Sequence, residues 1–130
     1  MRFELDYLQE HGVTRLQVYG VLNHEAYQPM IMAALADMQL HGTAQLIVDL
    51  RHASLGMSMQ QTVSLPEINQ ALGVSLEQKV AIVITEANPK VNGVRLYEIL
   101  AAHRGYDHKL FTRYPAALLW FIDRELYHVT

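Results

Sequence analysis

Residues 46–58 read LIVDLRHASLGMS: an unbroken apolar run takes an acid at Asp49 and then opens into a polar segment holding Ser54 and Ser58. With Gln45 in front, QLIVDL is short, β-branched and free of alternation, the pattern of a strand covered on both faces, as in a parallel sheet. KVAIVIT at 79–85 and HKLFT at 108–112 repeat that character. Upstream, RFELDYL alternates, with Phe3, Leu5 and Tyr7 on one side. After a turn at Glu10-His11-Gly12, VTRLQVYGVL alternates again with Leu16, Val18 and Leu22 together. Those two segments predict a half-buried hairpin.

Helical signals fill the gaps between the strands. Asn23 is placed to cap a helix running through Met38, with Tyr27, Ile31, Ala34 and Met38 at helical spacing and Gly42 ending it. Pro29 implies either a kink or a start at Gln28. Ser64-Leu65-Pro66-Glu67 has the spacing of a capping box ahead of Ile68, Ala71, Leu72 and Gly73. Asn88-Pro89 reads as a cap and first helical position, with Gly105 closing that helix after His103 and Arg104. Tyr114-Pro115 opens a last helix, where Leu118, Phe121, Ile122 and Leu126 make one face and Trp120 points elsewhere. The order is ββαβαβαβα: one α/β domain over residues 1–130, a mixed sheet with an N-terminal antiparallel hairpin and then parallel strands, and about four helices.

Composition narrows the function classes. The chain has 130 residues, 51% hydrophobic and 18% charged, and no apolar stretch approaches the roughly 18 residues of a membrane span. Residues 1–22 alternate instead of forming a signal peptide, so the expected compartment is the cytoplasm. Without cysteine, disulfides, thiolate metal sites and cysteine nucleophiles are excluded. A net charge of −3 argues against a nucleic-acid partner. The charge is uneven: eight acids face three Lys/Arg in residues 1–78, and five face seven in residues 79–130, so the second half is the better host for an anion.

The seven histidines show no metal-binding spacing, and there is no G-x-S-x-G, Walker or G-x-G-x-x-G motif. Neither a catalytic residue, a metal nor a cofactor is expected. In α/β sheets the loops leaving the carboxyl ends of parallel strands form the docking crevice. Asp49, Arg51, Ser54, Met57 and Ser58 fall at such an end, with Asp49 either ordering the loop or serving as a turn-forming side chain. Leu55, Met57, Met59, Val63 and Leu65 suit an adaptable apolar pocket or a plain core. In the helix at 89–104, Leu96, Ile99, Leu100 and His103 share one face, and Val94, Tyr97 and Ala101 lie opposite. Lys90 and Arg95 near its start are placed to hold an anionic group, and an ion pair with Glu86 or Glu98 is the simpler use of Arg95.

At these residues the chain resembles a family. An apolar strand ending in Asp-Leu, followed about eight residues later by a serine before a helix, is similar to the STAS domain of anti-sigma-factor antagonists, and Ser58 falls within that family's phosphorylated serine pair. The likeness is closer to the SpoIIAA-like branch, related to the CRAL-TRIO lipid-binding fold. Its pattern is matched from about residue 16 to 122 by Gly-Val-Leu before the first helix, KVAIVIT, Arg95 and Phe-Thr…Ala-Ala-Leu-Leu-Trp-Phe.

The flanks of Ser58 depart from the acid, serine, glycine order of a phospho-switched member, with Met57 before and Met59 and Gln60 after. The resemblance therefore implies a non-catalytic binding or regulatory module. Its partner would be a small apolar or anionic ligand, lipid included, or a protein, with peripheral membrane contact and a homodimer left open. The alternative is a partner switch controlled by phosphorylation of Ser58. An apolar cavity under the second and third helices, as against a closed core, bears most directly on that choice.

Overall fold

The structure, a computed structural model, describes residues 1–129, with side chains as far as Ile122. Strands β1 (Arg2–Leu8) and β2 (Val13–Leu22) form the expected antiparallel hairpin, followed by α1 (His24–His41), β3 (Gln45–Leu55), α2 (Met59–Val63) and α3 (Leu65–Leu72). Then come β4 (Lys79–Val83), α4 (Val91–His103), β5 (Asp107–Phe111) and α5 (Tyr114–Val129). The sheet order is β1-β2-β3-β4-β5, with β2 to β5 all parallel.

This order has a strong consequence. Successive parallel strands are laid down in one direction, and right-handed crossovers then put every connecting helix on the same face. Accordingly α1, α3 and α4 bury Leu16, Val18, Leu46, Val48, Val80 and Ile82 from one side. The other face is left to α5, which packs Ala117 and Phe121 on Val13, Ile47, Ala81 and Val83. Its main contacts are with β3, β4 and β5, and it reaches β1 and β2 only near Leu8, Val13 and Arg15, so the rest of the outer side of that hairpin is without a covering helix among the described residues. That side carries Arg2, Glu4, Asp6, Arg15 and Gln17, as alternation demands.

Local chemistry explains most element ends. Asn23 accepts from the Ala26 N–H at 2.9 Å, and Gly42, in the left-handed region at φ 65°, closes α1. Pro29 sits inside α1, which neither restarts nor ends there. Glu98 accepts from the Leu110 N–H at 2.6 Å and so occupies a donor of the edge strand β5. No described helix is long and apolar enough to cross a membrane.

Four expectations are corrected. The third strand does not stop at residue 50 but runs to Leu55, pairing Tyr19–Leu22 of β2 with His52–Leu55. Between Gln17↔Asp49 and Tyr19↔His52, β3 advances three residues while β2 advances two, a bulge that lets polar Arg51 and His52 stay within a strand. A short helix, α2, precedes the predicted one. Ser64 ends it in αR geometry, so no side-chain cap forms there, and the capping box belongs to Ser58 and Gln61. Helix α4 starts at Val91, after Asn88 accepts from the Lys90 N–H at 2.9 Å in a preceding turn. On α5, Trp120 packs with Phe111 and Phe121 against the sheet while Ile122 is exposed; Leu126 lies outside the described side chains.

Candidate functional site

The serine-bearing segment forms a rim where β3 hands over to α2. Gly56 donates its N–H to Leu22 O at 2.8 Å, and a Cβ there would stand 2.9 Å from Val21 Cγ1, so the chain leaves β3 pressed against β2. Met57 then turns inward and is 5% exposed, while Ser58 turns outward. Ser58 Oγ accepts from Gln61 N at 3.1 Å, and Gln61 Oε1 accepts from Ser58 N at 3.0 Å, a reciprocal cap. Lys90 Nζ donates to Met57 O at 3.2 Å, which brings an ammonium group to the residue before Ser58. Val21 and Met59 stand exposed beside this rim, at 54% and 53%.

Asp49 and Arg51 lie elsewhere than expected, although Asp49 does bond a nearby backbone N–H. Asp49 lies in mid-strand, 1% exposed, on the face covered by α5 rather than in a strand-end loop. Its carboxylate accepts from Arg51 N at 3.1 Å, Nε at 2.9 Å and Nη2 at 2.8 Å. Burial pushes the Asp49 pKa up, but the hydrogen bonds and charge of Arg51 outweigh this and hold it below the ordinary carboxylate value. The Arg51 guanidinium lies 4.6 Å from the centre of the Tyr114 ring. Arg15 donates to Tyr114 Oη at 3.0 Å while bridging to both oxygens of Asp6. Asp49 is thus the buried anchor of a closed ionic cluster that fastens the start of α5.

The remaining expected residues divide. Ser54 pairs with Val21 inside β3 and is exposed, not part of a loop. Arg95 bonds Glu86 and Asn92, the simpler of its two expected uses. The structure therefore brings Met57, Ser58 and Lys90 together, groups Asp49 with Arg51 on the other face, and leaves Arg95 with its own partners.

Sequence reasoning missed a buried polar chain under the helices. Tyr27 donates to Asn69 Oδ1 at 2.6 Å, Asn69 Nδ2 donates to Tyr97 Oη at 2.8 Å, and Tyr97 Oη lies 2.7 Å from His108 Nδ1. These groups border an apolar cavity of about 90 Å³, walled by residues such as Met30, Ile31, Leu46, Val48, Met57 and Val94. The only local signal was a histidine opening the apolar run HKLFT.

No family model and no curated protein matches this chain. Its fold does match solved structures. One is the anti-sigma factor antagonist SpoIIAA in its unphosphorylated form, 16% identical over 95% of this chain and 96% of that one, with a TM-score of 0.53. Another is the Bacillus cell fate determinant SpoIIAA in the phosphorylated form, 18% identical over 95% of this chain and 98% of that one, also at 0.53. At such identities the likeness is one of fold: the chain has a SpoIIAA-like STAS fold.

Proposed function

We propose that this chain is a non-catalytic partner switch, binding a protein of the anti-sigma-factor kind through the rim around Ser58 and released when Ser58 is phosphorylated. The observation that carries it is Ser58 itself: an exposed hydroxyl at the start of α2, on a rim that presents exposed Val21 and Met59. The fold supports the same reading, since one solved structure of its kind is an anti-sigma factor antagonist and another is a phosphorylated form.

The chemistry of the switch follows from that placement. An unmodified rim offers apolar contact and a neutral hydroxyl to a partner. A phosphate adds about −1.5 to −2 charges at pH 7, which opposes burial of the same apolar surface. Lys90, already bonded to the carbonyl of the preceding residue, Met57, is a cation placed to receive it. A small anion at the strand ends has less to hold it, because Arg51 is engaged by Asp49 and Arg95 by Glu86.

The test is mass spectrometry of the protein purified from its own cells, combined with capture of partners by Ser58→Ala and Ser58→Asp variants. A phosphate on Ser58, with capture kept by the alanine variant and lost by the aspartate variant, is the expected result. No phosphate, together with identical capture by both variants, would overturn the switch.

A further inference from the structure

The end of the buried polar chain is unmatched. Among the described residues, His108 Nε2 and Gln78 Oε1 are both buried without a hydrogen bond, and both residues border the same cavity. His108 is 6% exposed. It pairs with Val80 of β4, and Gln78 stands just ahead of that strand, two residues before Val80, where it lines the same cavity.

The direction of the chain can be worked out from its donors. Tyr97 Oη already accepts from Asn69, so its own proton needs an acceptor, and His108 Nδ1 at 2.7 Å provides one. The opposite arrangement would bury the Tyr97 proton unpaired. Burial lowers the His108 pKa to about 4, so the ring is neutral at pH 7 and its single proton sits on Nε2. The polar chain thus ends in a donor, and Gln78 contributes an acceptor.

A cavity of about 90 Å³ has the liquid-volume share of about three waters, or room for roughly four or five carbon-sized atoms. Its walls are apolar apart from this polar corner, and the thioethers of Met30 and Met57 can adjust to an occupant. We propose that the cavity is a binding site for a small, mainly apolar molecule bearing one hydroxyl, whose oxygen accepts from His108 Nε2–H and whose proton is given to Gln78 Oε1. A hydroxyl meets both unmatched groups, whereas a hydrocarbon meets neither. This site does not rest on the Ser58 switch, since it can be filled whether or not the rim meets a partner.

The test titrates purified wild-type protein with 1-butanol and with 1-chlorobutane, its near-isostere lacking the hydroxyl, followed by amide and histidine NMR. Expected are shifts centred on Tyr97, Gln78 and His108, butanol binding at least about tenfold tighter than chlorobutane, and an Nε2-protonated His108 in the free protein. Val74→Phe, which adds bulk at the cavity wall, should abolish both responses; the wild-type pair decides the matter even if that variant does not fold. Equal binding of the two probes, no shift at the cavity residues, or an Nδ1-protonated His108 would overturn the proposal. So would a butanol-soaked crystal showing only water between His108 and Gln78.

Discussion

The two faces of the sheet are built on opposite principles. The face under α1, α3 and α4 is apolar and loosely filled, with its few polar atoms strung into one chain beside a cavity. The opposite face has one helix, and beside its apolar contacts Asp49, Arg51, Arg15 and Asp6 form an ionic cluster around Tyr114 at the start of α5. Sheet order is the cause: sequential parallel strands send all their crossovers to one side, so the other side must be secured by whatever follows the last strand. On the ionic face a few residues hold one another by charge-assisted hydrogen bonds. The helical face holds the cavity and ends in the exposed rim through which binding is proposed.

Breaking the ionic face should have the largest effect. Arg51→Met leaves a fully buried carboxylate without its partner and should lower unfolding free energy in urea by about 3 kcal/mol. Adding Asp49→Leu should recover most of that loss. A single variant within about 0.5 kcal/mol of wild type, the scale of an ordinary surface change, would mean that this cluster holds nothing together.

Acid separates the faces by pH window. His108 is neutral and buried when folded, with its pKa lowered to about 4, whereas the unfolded chain takes up the proton near 6.5. Stability should therefore fall as pH drops from about 6.5 to 4, by up to about 3 kcal/mol, and His108→Gln should flatten that interval. Asp49, with a lowered folded pKa, contributes fully above the ordinary carboxylate range and loses its contribution only as pH falls below it. A profile for the His108→Gln protein as steep as wild type between 6.5 and 4 would contradict the assignment.

Smaller effects sharpen the contrast. Tyr97→Phe removes the middle link of the polar chain and leaves Asn69 Nδ2 and His108 Nδ1 unpaired, a loss of about 1 to 3 kcal/mol by thermal or urea unfolding. Ser58→Ala should cost only about 1 kcal/mol, the value of an N-cap, and Ser58→Asp should keep the cap and stay close to wild type. If Ser58→Asp unfolds the protein, its effect on partners could not be assigned to charge at the rim.

What was legible in the sequence follows the range of the interactions. The hairpin, the three parallel strands and the stops at Gly42, Gly73 and Gly105 are written in local patterns of alternation, apolar runs and positive-φ glycines. The second half of β3 was not, because Arg51 and His52 look like loop residues until Tyr114 and Tyr19 are seen lying against them. Helix α2, five residues long, is too short for a period to show. The place of Ser58 after a strand and before a helix was legible, and so was a bond from Asp49 to a nearby N–H, but not that Asp49 makes it to Arg51 inside a strand, because a partner two residues away reads equally well as a turn. The polar chain joins residues 42, 28 and 11 positions apart, and no local pattern reports such contacts.

The most direct measurement is photo-crosslinking in the native cell, with a benzophenone side chain placed at Met59 on the rim, at Gln17 on the open ionic face, or at Leu119 on α5. A protein partner captured from position 59 and from neither of the others, and lost when Ser58→Asp is added, is the expected result. Capture from position 17 or 119 with none from 59 would place the binding surface on the wrong side of the sheet and contradict the reading.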